Sequence, residues 1–520
     1  MSEIVGAYFA EDGLALAASV RQGTITAETL LDAAVERAEK LNPLLGALCC
    51  IDERKGRTAL ARLDLNAPFV GVPFLMKDLG APAAGFPTTA GARYFARHAK
   101  EETADGDLTA RMREAGVVIF GKTTVPEMGL NLTTEPAIGP TVCNPWDNRF
   151  SAGGSSGGAA AAVAAGIVPL AHATDAGGSI RVPAAACGVL GLKPSRGLMP
   201  QGPDFGNFLL GIASEFVVSR SVRDSAAMLD ACAGTPKGPY AAPVLGGSAL
   251  AALDHSMSPL RIGLIDETSA GAQVTAERRE AVAAAARLLE SFGHHIEPIP
   301  AATLDFEREA SFRFFAIAIC ASLAALFADL DPTPARDDFE PMTRAAIESG
   351  QRLGAARLSA VAREAAIAAY SLAQRFLTVD VILTPMLADA PPLLGSWATD
   401  GSDIDRHLAR MAALAPYGLL ANAAGVPAIS VPRGLDRAGL PLAVQFIGPL
   451  GGDVLLLQLA RFFERAEPWS SPFNADSSGA MRPWGCSWLP AGPLRAGQDS
   501  GSIGRGAGRR RCAAIVVAGV

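Results

Sequence analysis

Two short blocks of glycine and serine, separated by an alanine-rich run, constrain this chain more than any other feature. The first is Ser151-Ala-Gly-Gly-Ser-Ser-Gly-Gly158, followed by the helix-forming run Ala159 to Ala165. The second is Thr174-Asp-Ala-Gly-Gly-Ser-Ile-Arg181, which places Ser179 24 residues after Ser155, across one helix and a short strand. Consecutive small residues let backbone N–H groups converge on one point, as stabilisation of an oxyanion requires. Other readings of the first block stay open at this level. No Lys-Ser/Thr follows it and the GxGxxG spacing is absent, so it is not a nucleotide-phosphate loop. Residues 153–157 do fit GxSxG, the nucleophile elbow of α/β hydrolases, with Ser155 as nucleophile and Asp403 and His407 as the partners to recruit. A plain flexible loop is the third reading.

Lysine narrows these choices. Of 45 basic residues only seven are lysines, at positions 40, 55, 77, 100, 122, 193 and 237; the others are arginines, as a GC-rich genome would give. Arginine does not lose its proton in a protein, whereas a lysine among apolar neighbours has a lowered pKa and can act as a base. Lys77 sits in Phe74-Leu-Met-Lys-Asp, at the end of an expected strand. Serine hydroxyls need such a base to become nucleophiles. Lys77, Ser155 and Ser179 together make a constellation for acyl transfer without histidine or metal.

The rest of the chain reads as an α/β protein. Helical spacing runs through 14–40, with Thr26 and Glu28 near a start signal, and through 107–115, 276–292 and 454–465. Short apolar strands are expected at 117–120, 260–265, 379–383, 426–432 and 442–447. The apolar stretch Phe314 to Ala328 is shorter than the about 18 to 20 residues that span a bilayer and reads as a buried helix. The net charge of −7 gives no reason to expect nucleic acid or a membrane surface as a partner. The eight cysteines are scattered without CxxC spacing, and the first 13 residues lack a signal-peptide pattern, so a reducing cytoplasm is the expected compartment. No metal-ligand spacing is evident among the histidines. After Ser471 the composition changes to six arginines, two aspartates and no glutamate, with Gly, Ser and Pro throughout. The expectation is one domain over 1–470 and a disordered or non-homologous extension over 471–520.

With both serine blocks and the upstream lysine in place, the chain resembles the amidase signature family over about residues 14–470. Softer features agree: Gly121-Lys-Thr, Pro126-Glu-Met128, Asn144-Pro-Trp146, Gly191-Leu-Lys-Pro, Gly425-Val-Pro-Ala and Gln445. Thr133-Thr-Glu-Pro136, Ala171-His172 and Ser311-Phe312…Cys320 resemble members acting on cyclic or linear ω-amino amides. The resemblance implies one large α/β domain, with a mixed central sheet covered by helices on both faces. It implies hydrolysis of a carboxamide C–N bond with no cofactor, on a small-molecule amide, and a homodimer would fit family habit. It makes Ser179 the nucleophile, Ser155 the bridging serine after a cis peptide bond, and Lys77 the base. Backbone N–H groups of Ala176, Gly177, Gly178 and Ser179 would hold the oxyanion. Asp175 and Arg181 would brace the loop as an ion pair, and Thr134, Ser156 and Cys320 would lie at the substrate. Two departures, Asp175-Ala-Gly for Asp-Thr-Gly and Leu440-Pro-Leu-Ala for Leu-Pro-Val-Gly, leave the chemistry intact, and the tail has no family counterpart. The alternatives are an amidotransferase A-type subunit that needs partner subunits, a His-dependent esterase, and an inactive member serving as a scaffold.

Overall fold

Strand pairing divides the eleven described strands into two sheets. The computed structural model describes residues 11–203, 208–234, 239–269, 273–469 and 472, so the expectation for the tail lies outside the described residues. The small sheet contains β1 (Leu48–Ile51), β2 (Pro73–Lys77) and β3 (Val118–Thr123), in the order β1-β3-β2. The large sheet contains β4 (Leu170–Asp175), β5 (Leu190–Lys193), β6 (Ser214–Ser219) and β7 (Arg261–Leu264). It continues with β8 (His295–Pro298), β9 (Val381–Pro385), β10 (Ala428–Leu435) and β11 (Pro441–Ile447). Its order is β4-β6-β5-β10-β11-β9-β7-β8, antiparallel from β4 to β9 and parallel thereafter. This is the expected mixed sheet, and the small sheet is an addition to it. β2 and β4 are edge strands that run side by side, yet they share no strand ladder.

Local chemistry explains where the elements begin and end. The helical pattern over 14–40 resolves into two helices, Gly13–Arg21 and Ala27–Leu45. Gly23 at φ 71° breaks the first, and the Thr26 side chain caps the second by accepting from the Thr29 N–H. The alanine run forms the helix Gly157–Ala164, buried on every side. Its small residues allow close approach: a Cβ on Gly158 would lie 2.4 Å from the Ala47 carbonyl oxygen and 2.6 Å from the Thr124 backbone. The first serine block is therefore pressed against the small sheet and the second leaves the end of β4. The helix Asp305–Ala328 covers the opening between them, with Phe315, Ala318 and Ile319 buried. Together with the turn Ala301–Leu304 before it, this helix is long and apolar enough to cross a membrane by length and composition, and 44% of its most apolar stretch is buried in this fold.

Candidate active site

Among the described residues three lysines, Lys77, Lys122 and Lys193, are essentially inaccessible. Lys122 is bound to Asp78 at 3.2 Å and donates to the Pro87 carbonyl and Thr88. Lys193 donates to the carbonyl of Pro194. Of these three, Lys77 alone meets serine hydroxyls. Its Nζ lies 2.8 Å from Ser155 Oγ, 2.9 Å from Ser156 Oγ and 2.7 Å from Thr174 Oγ1. Ser156 also donates to the Thr174 carbonyl, so it accepts from the amine. A neutral amine then has a lone pair open to a hydrogen from Ser155 or Thr174. Burial pulls the Lys77 pKa down to about 7, against the opposing pull of the Glu215 and Asp175 charges. Near neutrality this amine is thus available as a base.

Ser155 follows a cis peptide bond at Gly154–Ser155. Both Ser155 and Ser179 open onto a cavity of about 580 Å³, its mouth included. No hydrogen bond joins their two hydroxyls. Catalytic contacts in a ligand-free site commonly tighten only when substrate is bound. Gly129, at φ 67°, leaves room for this arrangement, since a Cβ there would lie 3.3 Å from Ser155 Oγ and 2.7 Å from Leu79. Leu79, Leu130, Leu132, Phe315, Ile319 and Leu419 line the cavity, and among the described residues no charged side chain does.

The turn after β4 is built around a buried ion pair. Arg181 Nη2 lies 2.9 Å from Asp175 Oδ1 and also reaches Asn422 and the Gly418 carbonyl, while Nη1 donates to Gln445. Burial would raise the Asp175 pKa, but the charge and hydrogen bonds of Arg181 outweigh it and hold the carboxyl well below the usual range. Asp175 also accepts from the Gly178, Ile180 and Arg181 N–H groups. Removing one member of a buried pair strands the other, at a cost of about 3–5 kcal/mol. Arg181→Lys is expected to lose most of that stability too, because an ammonium cannot reach Asp175, Gln445 and Asn422 together. Denaturant midpoints of wild type and this variant measure the loss, and a midpoint near wild type for Arg181→Lys would refute the bracing role.

These positions revise the expected roles of several residues. Gly178 cannot serve as an oxyanion donor as it stands, because its N–H is held by Asp175 at 2.7 Å. Ala176, Gly177 and Ser179 face the cavity. Thr134, Ser156 and Cys320 are not among the cavity-lining residues. Thr134 donates to the Gly153 carbonyl and so shapes the serine loop, and Ser156 ligates Lys77. The Cys320 thiol is buried and turned toward Ser349 on the helix Pro341–Gln351. His407 Nε2 is occupied with the Leu130 carbonyl at 2.8 Å, which removes the reason to pair it with Ser155. Motif reading assigns no role to Thr174, Asn422 or Glu215 and none beyond resemblance to His172, although the site uses all four. Among the described residues no group of three His, Cys, Asp or Glu side chains is placed to hold a metal ion.

A buried amine against Ser155, with Ser179 beside open backbone N–H groups, defines an acyl-transfer hydrolase of the lysine–serine–serine class. The Amidase family profile matches residues 29–457, and the chain belongs to that family. It is an amidase, acting on amide C–N bonds. The 6-aminohexanoate-cyclic-dimer hydrolase of Paenarthrobacter ureafaciens is 32% identical over 479 residues, covering 88% of this chain and 95% of that protein. The structure of 6-aminohexanoate cyclic dimer hydrolase complexed with substrate superposes with a TM-score of 0.82 at 30% identity, covering 88% and 97% of the two chains. A bacterial aryl acylamidase of the amidase signature family gives 0.78 at 28% identity, covering 88% and 96%.

Proposed function

We propose that this amidase uses Ser179 as nucleophile, Ser155 as proton relay and Lys77 as base, on neutral amides with an apolar acyl part. The observation that carries the assignment is the contact of buried Lys77 Nζ with Ser155 Oγ at 2.8 Å, at the wall of a cavity whose lining, among the described residues, carries no charged side chain. Neutral Lys77 takes the Ser155 proton as Ser155 takes that of Ser179. Ser179 Oγ then attacks the amide carbonyl carbon. The oxyanion forms against the N–H groups of Ala176, Gly177 and Ser179, positioned before the charge develops. As the C–N bond breaks, the proton returns through Ser155 to the leaving nitrogen. Water, activated by the same relay, hydrolyses the acyl-enzyme ester and regenerates Ser179.

The cavity lining also bears on substrate. A cyclic dimer of 6-aminohexanoate carries amides and no ionised group, whereas the linear dimer carries an ammonium and a carboxylate. Bringing an unpaired charge into an apolar pocket costs several kcal/mol. The expected result is a kcat/KM for cyclic or aryl-substituted neutral amides at least about 100-fold above that for zwitterionic linear ones. A turnover screen over both sets, with Ser179→Ala as blank, tests this. Equal or better turnover of the charged set would overturn the substrate reading and leave the catalytic one standing.

A further inference from the structure

The two sheets meet where Lys77 is held, and side chains replace the missing strand ladder. In the parallel β2–β3 pairing the Asp78 N–H donates to the Thr123 carbonyl at 3.1 Å, so the preceding Lys77 N–H points away from β3. It donates to His172 Nδ1, on β4, at 3.3 Å. Two residues further along β4, on the same face, Thr174 takes the amine end of Lys77. The antiparallel β4–β6 register sets Glu215 opposite Thr174 and diagonal to His172, and Glu215 Oε2 lies 3.0 Å from His172 Nε2. The same oxygen accepts from the Ala81 N–H at 2.7 Å. All three side chains are buried.

We propose that His172 and Glu215 are positioning residues for Lys77, fixing its backbone from the neighbouring sheet and tuning its amine through the Glu215 carboxylate. An imidazole that accepts at Nδ1 carries its hydrogen at Nε2, and Glu215 selects that tautomer by accepting from it. The ring is thereby oriented toward the Lys77 N–H. The Ala81 contact ties the same carboxylate to the loop carrying Leu79, which lines the cavity. One pair thus holds the base and one cavity wall in register.

Among the described residues, the charges that act on the Lys77 amine are those of Glu215 on β6 and Asp175 at the end of β4, while His172 of β4 meets its backbone N–H, and Asp78 follows it in the chain and is bound to Lys122 of β3. Asp175 is clasped by Arg181. Burial alone would carry the amine further down, and Glu215 is the largest of the opposing influences. A base works best with a pKa near the working pH. Glu215 therefore counters the weakening of the base by burial.

The inference rests on Lys77 being the base, and its test is chosen to be independent of substrate identity. The rate of Ser179 labelling by a fluorophosphonate probe is followed against pH in the full-length protein, beside kcat and KM on the best amide. Glu215→Gln keeps an acceptor for Ala81 but removes the charge. It should move the acid limb of the labelling profile to lower pH by about half a unit or more. A limb unmoved in a folded variant overturns the proposal, while a wild-type profile without a limb near neutrality would instead overturn Lys77 as base. His172→Leu should lower kcat by about tenfold or more with KM within about twofold, and His172→Asn, whose oxygen replaces Nδ1, should recover part of it. Equal activity of the Leu and Asn variants overturns the positioning role. If Glu215→Gln does not fold, the His172 pair decides.

Discussion

Ser179→Ala is expected to lower kcat/KM by about 10⁴-fold or more while leaving the melting temperature close to wild type. Two features of the site separate loss of chemistry from loss of fold here. The Ser179 hydroxyl makes no hydrogen bond that holds the loop, whereas its carbonyl accepts from the Ser156 N–H at 3.2 Å and is untouched by the substitution. The turn is braced instead by Asp175, Arg181 and Asn422. Ser155→Ala should be damaging as well, but by interrupting the relay, so it retains the attacking atom. Burst kinetics on a slowly deacylated ester separate the two, because only a protein with Ser179 can accumulate an acyl-enzyme. A stoichiometric burst from Ser179→Ala would move the nucleophile to another residue, with Ser155 the first to test.

The parts of this site legible in the sequence are those whose chemistry is local. The glycine–serine blocks announce themselves, because only small residues permit the close backbone approach seen at Gly158 and the positive φ of 79° and 125° at Gly153 and Gly178. Lys77 is legible by its setting, although burial does not single it out: Lys122 and Lys193 are buried as fully and serve as internal ties. Glu215 is not legible. It stands 43 residues after His172 and reaches it only through the β4–β6 register, which no local pattern states. Asn422 joins Asp175 across 247 residues in the same way. The role given to Gly178 fails for a related reason, since a run of glycines does not reveal that the Asp175 side chain curls back onto one of their N–H groups. The helical reading of 14–40 places a start signal at Thr26, where the second helix is capped, but misses the break at Gly23 that ends the first.

Lys77→Met should reduce kcat/KM by about 10²- to 10⁴-fold, the range general-base catalysis commonly supplies, and should alter the pH profile in kind. In the wild type the base must be neutral. With a pKa of about 7, activity should fall as pH drops through neutrality and level off above it. The residual activity of Lys77→Met should lack that limb. Stability gives an independent reading of the same group. In the unfolded chain the amine titrates near its ordinary value of 10.5, and in the fold near about 7. Between those values the unfolded state binds more protons, so wild-type stability should rise with pH across that window and this contribution should be lost on descending toward 7. Methionine cannot titrate, so the stability of wild type relative to Lys77→Met should increase from about pH 7 to about pH 9. Parallel denaturant midpoints for the two proteins measure that slope. A flat difference would mean that Lys77 stays charged in the fold, and a charged Lys77 cannot accept the proton of Ser155.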